Sequence, residues 1–472
     1  FGSVSRCLGS AWAVRLVVGL LACCAALWFE CASPAFSARV DEASRDLILK
    51  LSAEEDEDRR VVIVDIGERA LTEIGPWPWP RERIADLVDI VLGPYAAKGA
   101  ALDIVLPEAG DPAGDSRLAA IAAHGPLALA QVFDYAPRSQ ALMLGKISGG
   151  HPAPVGQQFP MAYGYLANHP GLADARCVGN IGYVPDADGV LRRIPALTAF
   201  HGKVYRHLSS VLIDCVSLRN GEGVLLEDGA DGLWRVPYRY SPNAYAVVSA
   251  EKVLREQAPE ELIRGRYVLV GSSALALGDR VSTPLSSLSA GVMVHAASLS
   301  GLLDVREGKA RPAWSARVMI IAWVMVSVSL AVVMMVWFSA WTSTLMLMFL
   351  TLVWLLLAYV GVRQQAEGSV SAPLAAYFVL FVLAIPHEWW RAQRSARQLL
   401  NTFSHYVAKP VLSELMRAGA TYSLAPTLKD VTVLIADMEG YTRLTTSLSL
   451  DEAATLTKDF LDCLTRPVLA RF

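Results

Sequence analysis

The sequence predicts a multi-domain membrane protein: an α/β domain outside the cytoplasm, transmembrane α-helices, and the start of an α+β domain. Three observations lead there. Residues 318–362 contain no charged residue. Short continuous apolar runs, with helical patterns between them, fill the region from about residue 32 to residue 312. Near the end, the β-branched run Val431–Ala436 delivers Asp437 to a turn containing Gly440. The chain of 472 residues is 53% hydrophobic with mean hydropathy +0.36, too apolar for an ordinary soluble protein and long enough for about three units. Its net charge of -3 gives no bulk attraction to nucleic acid.

Taken in order, the first element is Leu16–Phe29. With Trp12 to Val14 and a snorkelling Arg15 it reaches spanning length. Residues 1–31 are therefore expected to form an N-terminal transmembrane helix. The rival reading is a cleaved signal peptide with a small-residue site near Ala35-Phe36-Ser37-Ala38. The uncharged run at 318–362 would be about 68 Å long as one helix, against a hydrocarbon core about 30 Å thick. Two spans fit it better, Val318–Phe338 and Trp341–Val362, with Trp337 and Trp341 at the interfacial joint. A third span covers Ser371–Pro386, so residues 313–390 hold three transmembrane helices. Arg391, Arg394 and Arg397 follow directly and place that side in the cytoplasm. Four spans bring both ends to one side and leave residues 32–312 outside.

In the outer domain, Val61–Ile66, Ala100–Val105, Leu127–Val132 and Tyr267–Val270 read as strands covered on both faces. Helical patterns fall at Arg83–Leu92 and His207–Leu218. An α/β layered domain follows from that alternation. Asp65 and Asp103 come late in apolar runs. Gly75–Arg81 is a proline-stiffened loop carrying Trp77, Trp79 and Arg81. Those five residues, Asp65, Trp77, Trp79, Arg81 and Asp103, are the candidate sensor pocket; caps, turns and a hydrogen-bonded acid are the structural alternative. Gly271-Ser272-Ser273 after a strand could cradle an anion. Asp186 to Arg193 reads as a turn with a charged exit, and Glu54–Asp58 as a solvated loop. Cys177 and Cys215 could pair or stay free thiols.

As a set, several of these segments resemble the CHASE-type extracellular sensor family, second subtype. They are Val64-Asp65-Ile66, Trp77-Pro78-Trp79-Pro80-Arg81, Asp103-Ile104 with Pro107-Glu108, Asp188-Gly189 with Arg192, and Val270-Gly271 through Gly278-Asp279-Arg280, Thr283-Pro284 and Gly291 to His295. The resemblance covers about residues 35–310. It implies an extracytoplasmic sensor followed by three spans and a cytoplasmic output domain. It implies no known ligand.

Arg391–Arg417 is amphipathic, with Pro410 expected to break it into two short helices; residues 391–425 form a cytoplasmic linker. From 426 to 472 the chain resembles the first strand, turn and helix of class III adenylate/guanylate cyclases, whose fold is ferredoxin-like α+β. The match is Val433-Leu434-Ile435-Ala436-Asp437-Met438-Glu439-Gly440-Tyr441-Thr442, where Phe more often replaces Tyr441. The resemblance implies two Mg²⁺ (or Mn²⁺) ions on Asp437, with Met438 offering its backbone carbonyl. Gly440, Tyr441 and Thr442 would meet triphosphate oxygens through backbone N–H groups. It also implies ATP or GTP as substrate, a homodimer, and a bacterial inner membrane location. Ser449–Glu452 is a capping box opening an apolar-striped helix. Asp462 lies inside that helix, so a second metal acid is expected beyond Phe472. The alternative is a receptor whose cyclase-like domain only dimerises.

Overall fold

The computed structural model describes residues 2–32, 35–154, 158–217, 232–274, 280–310, 314–403, 435 and 437–469. The chain divides into two compact units, Phe1–Arg394 and Ser395–Phe472.

At the centre of the first unit, the strand Val61–Asp65 lies between Ala246–Ser249 and Tyr267–Gly271, parallel to both. Gly99–Leu102 pairs with Tyr267–Gly271, Leu127–Asp134 with Gly99–Leu102, and Cys177–Asn180 with Leu127–Asp134, all parallel. Gly164–Leu166 adds an antiparallel pairing at the far end of Leu127–Asp134. The β-branched run Val61–Val64 is buried throughout. Val61 and Ile63 face one core with Leu212 and Leu299, while Val62 and Val64 face another with Ile84, Leu87 and Leu118. Successive side chains point to opposite faces of a strand, so the sheet is covered by helices on both sides. This is the layered α/β arrangement that the continuous apolar runs predict. Parallel pairing puts Asp65 and Asp103 at the same, carboxyl-terminal edge of the sheet.

Some expectations change. The acidic run is solvated only in part: Glu55, Asp56 and Glu57 are exposed, while Glu54 is half-buried and Asp58 buried. Glu54 bonds Arg239 and Arg363, and Glu57 bonds Arg266. Asp58 is buried and accepts from Arg60 and from Ser300. Apart from Arg60, the partners lie far away in sequence, so the run itself carries no sign of them. Cys177 and Cys215 form a disulfide joining the strand Cys177–Asn180 to the helix Leu208–Ser217. The helix Ala35–Ser52, absent from the sequence reading, leads into the sheet domain.

Four helices among the described residues are long and apolar enough to cross a membrane: Trp12–Ala32, Arg317–Trp337, Ala340–Arg363 and Ser371–Gln398. The last does not stop at Pro386. Ser371–Val379 continues through a π-helical turn, Leu380–Ala384, into Ile385–Phe403. Proline breaks the regular i to i−4 ladder because it lacks an N–H, and a π-turn just before it accommodates that loss without ending the helix. Arg15 and Glu388 form a buried two-bond ion pair, at 2.7 and 3.0 Å, between the first and last of these helices.

In the second unit, Gly440 adopts the left-handed conformation (φ 77°) and caps the helix Tyr441–Thr446. Leu450–Leu469 follows, with Glu452 Oε2 accepting from Ser449 N at 2.9 Å, the half of the capping box that reaches back, and from Ser449 Oγ at 2.7 Å. Those two hydrogen bonds hold the Glu452 carboxyl below the usual range. The strand expected at Val431–Ala436, Ile435 excepted, and the break at Pro410 lie outside the described residues.

Candidate functional site

Two places collect the residues that the sequence singles out. The first lies at the carboxyl-terminal edge of the parallel sheet, where open α/β sheets hold ligands. A cavity of 340 Å³ opens there, with Trp77, Asp103, Tyr183, Ser272 and His295 in its wall. Asp103 sits just past the strand Gly99–Leu102, its N–H held by Val270 O at 2.8 Å. The strand ends earlier than the apolar run suggests, and that frees the carboxylate to turn into the cavity. His295, on the helix Gly291–Arg306, brings Nε2 to 3.4 Å from Asp103 Oδ1. His295 Nδ1 is buried and has no hydrogen-bond partner among the described residues. His207 stacks obliquely on it, with ring centroids 5.2 Å apart. Burial first, then the nearby His295, hold His207 well below the usual histidine range, so it is neutral.

The other candidates serve the frame. Asp65 Oδ1 and Oδ2 accept from Ser273 N and Oγ at 2.8 and 2.7 Å. The turn that could cradle an anion therefore already holds the chain's own carboxylate. A Cβ at Gly67 would come within 2.6 Å of Asp65 Oδ2, so this turn needs glycine there. Trp79 is packed in the core, with its indole N–H on Gly75 O at 2.8 Å. Arg81 is buried, donates to Glu108 O at 2.8 Å and faces Asp115. Asp111 accepts from the N–H groups of both Arg81 and Glu82, capping their helix. Of the five pocket candidates, only Trp77 and Asp103 line the cavity. His295 is the residue that pocket reasoning missed. A histidine inside an apolar helix gives no sign by itself; its partner Asp103 is nearly two hundred residues away.

Arg192 is buried and forms the hub of the expected charged turn. It donates to Asp186, Asp188 and, on the unexpected helix, Asp46. Beside it, Glu42 accepts from Arg193 at 2.8 Å and from Arg235 at 2.6 and 2.8 Å. Burial alone would raise Glu42, but the bonds and charge of Arg235 and Arg193 bring it down to about 2. These pairs fasten the helix Ala35–Ser52 to the sheet domain.

A family model, the CHASE2 domain, matches residues 18–340, more than half of the chain. The chain belongs to the CHASE2 domain family. The CHASE2 match begins inside the first apolar helix and ends past the second, so it takes in the sheet domain and the helices flanking it. CHASE2 is an extracellular sensor domain, and the cavity at the sheet edge is its candidate ligand site. No curated protein and no solved structure matches the chain.

The second place, outside the CHASE2 match, is the turn at Asp437. Asp437 is exposed, and its Oδ1 accepts from the N–H of Met438 at 2.9 Å. Met438 O accepts the N–H of Tyr441 at 3.3 Å. Tyr441 Oη meets Thr457 Oγ1 at 2.7 Å, which ties the turn to the next helix. Gly440 and Thr442 are exposed. No group of three or more His, Cys, Asp or Glu side chains able to hold a metal occurs among the described residues. Asp437 and the Met438 carbonyl offer hard oxygen donors that suit Mg²⁺, but they make an incomplete set.

Proposed function

We propose that this CHASE2 protein is a membrane-bound sensor nucleotidyl cyclase, converting ATP or GTP to a 3′,5′-cyclic nucleotide and pyrophosphate, with ATP the favoured substrate. In this reading the sheet domain lies outside the cytoplasm, the four apolar helices cross the inner membrane of a bacterial cell, and residues 426–472 begin a cytoplasmic catalytic domain that works as a homodimer. The observation that carries the reading is the Asp437–Thr442 turn: an exposed carboxylate, a left-handed glycine, then a helix start.

Asp437 would hold two Mg²⁺ or Mn²⁺ ions, with the Met438 carbonyl as a further oxygen donor. Such ions supply activation of an attacking hydroxyl and neutralisation of a leaving pyrophosphate. Gly440, Tyr441 and Thr442 would turn backbone N–H groups toward β- and γ-phosphate oxygens, the Tyr441 N–H exchanging its bond to Met438 O for one to phosphate, while the Tyr441–Thr457 bond ties the turn to the next helix. The second reading is a receptor whose cyclase-like domain dimerises without catalysis.

The test is Asp437→Ala in membranes carrying the full-length protein, with Mg²⁺ or Mn²⁺ and either triphosphate. Cyclic nucleotide production falls to background if the proposal holds. Equal production by the variant removes Asp437 from catalysis, and a wild type that makes neither product selects the second reading.

A further inference from the structure

Two cavities meet at Arg45, on the helix Ala35–Ser52. The first, of 440 Å³, is lined by Arg45, Arg193, Arg235 and Arg317 among other groups. Its carboxylates are committed. Glu42 holds Arg193 and Arg235, and Asp41 accepts from Ser369 Oγ and Ser371 N. Glu30 accepts from Ser369 N and lies 3.6 Å from Arg317, while Glu367 lies 3.5 Å from Arg235. Arg45 differs. It is only 7% exposed, and it donates to two backbone carbonyls, Ala366 O at 2.8 Å and Gly368 O at 2.9 Å. Among the described residues no carboxylate comes within ion-pair distance of it. Burial and then the charge of Arg235 work against its charged form, while Glu42, Glu367 and Asp41 support it from beyond ion-pair distance, so this guanidinium has no anion in direct contact.

The second cavity, of 230 Å³, shares Arg45, Gly368 and Ser369 with the first. From there it continues as a groove along the apolar helices Arg317–Trp337 and Ala340–Arg363, past Trp323, Trp354, Leu357 and Gly361. Its indole N–H groups are used internally: Trp323 on Tyr377 Oη at 2.8 Å, Trp354 on Val370 O at 2.9 Å and Trp314 on Gln364 O at 3.2 Å. The groove therefore presents hydrocarbon and ring faces. A charged pocket whose arginine at position 45 has no carboxylate in direct contact thus opens into an apolar channel between helices of membrane-spanning length.

We propose that this joined site binds one phospholipid, its phosphodiester on Arg45 and an acyl chain in the groove. A guanidinium binds phosphate oxygens in a two-bond fork, and a buried one gains most from that anion. The bound lipid would bridge the helix Ala35–Ser52 and the outer ends of the apolar helices. The proposal rests on the reading that those helices cross a membrane.

The test uses the full chain purified from membranes in mild detergent, with bound lipid measured by native mass spectrometry and phosphorus analysis. Wild type carries about one phospholipid per chain. Arg45→Gln lowers that occupancy about tenfold or more. Gly361→Leu fills the groove away from the headgroup and lowers it likewise; a Cβ there meets only Ala366 Cβ, at 3.5 Å, an ordinary contact, and an unchanged melting temperature of the variant shows that the fold is kept. Occupancy unchanged in both variants overturns the proposal. So does displacement of the lipid by excess inorganic phosphate, which would mark a simple anion site. Labelling of intact cells with an impermeant reagent reports insertion separately. An inserted chain without lipid sinks this site alone, whereas a chain that is not inserted sinks the membrane reading and the lipid site with it.

Discussion

Replacing Glu42 with Gln removes a carboxylate that Arg193 and Arg235 share. Glu42 sits at about 2, against 4.5 for an ordinary glutamate. At about 1.4 kcal/mol per pKa unit, that difference ties about 3 kcal/mol of stability to its charge. The carboxylate is mostly buried, with its side chain 18% exposed, so solvent screening reduces this figure only modestly. The sign follows from a pKa lower in the folded than in the unfolded state. The contribution is complete above about pH 4.5 and is lost as pH falls toward 2. The neutral amide still accepts one hydrogen bond, so about 3 kcal/mol is an upper figure. For a domain of this size it corresponds to a melting temperature lower by roughly 5–10 °C at pH 7. The assay is thermal unfolding of the detergent-purified chain, followed by tryptophan fluorescence, for both proteins across pH 2 to 7. The gap between them should close as Glu42 protonates in the wild type. Equal melting at pH 7, or a gap that stays constant to the acid end, would refute the charge argument.

Two further outcomes concern the sensor frame. Cys177→Ser opens a disulfide that spans 38 residues, which by loop-closure entropy removes about 4 kcal/mol; a reductant should destabilise wild type and leave the variant unchanged, and insensitivity of both would contradict the bond. Asp65→Ala takes both acceptors from Ser273, at a cost of about 1–3 kcal/mol, and should speed hydrogen exchange at Ser272 to Ala274; unaltered exchange there would show that Asp65 does not hold the turn.

The sequence revealed what depends on local pattern. The apolar helices are legible because helices able to cross a bilayer need a set length and exclude charge, and the strands because Val61–Val64 has to be apolar on both faces. The turn at Gly440 and the capping box at Ser449 are visible because their partners lie within a few residues. What stayed hidden depends on distant partners. Asp65 finds Ser273, Asp58 finds Ser300 and Asp103 finds His295, each about two hundred residues away. Trp79 and Arg81 look like ligand groups in an aromatic, proline-rich loop, yet Trp79 packs into the core and Arg81 opens a helix that Asp111 caps. The helix Ala35–Ser52 escaped because its polar face, Glu42 and Asp46, reads as exposed until Arg192, Arg193 and Arg235 are placed against it.

The account stands or falls on the sheet domain and Asp437 facing opposite sides of one membrane. The measurement is thiol labelling of intact cells with an impermeant maleimide, using two single-cysteine forms of the full-length protein that keep the Cys177–Cys215 disulfide. One carries Leu142→Cys at an exposed loop of the sheet domain; the other keeps the exposed native Cys463, in the helix after Asp437. The account predicts that position 142 reacts at once and Cys463 reacts only after the membrane is opened. Labelling of Cys463 in intact cells would put Asp437 on the outside, away from nucleoside triphosphates, and contradict it.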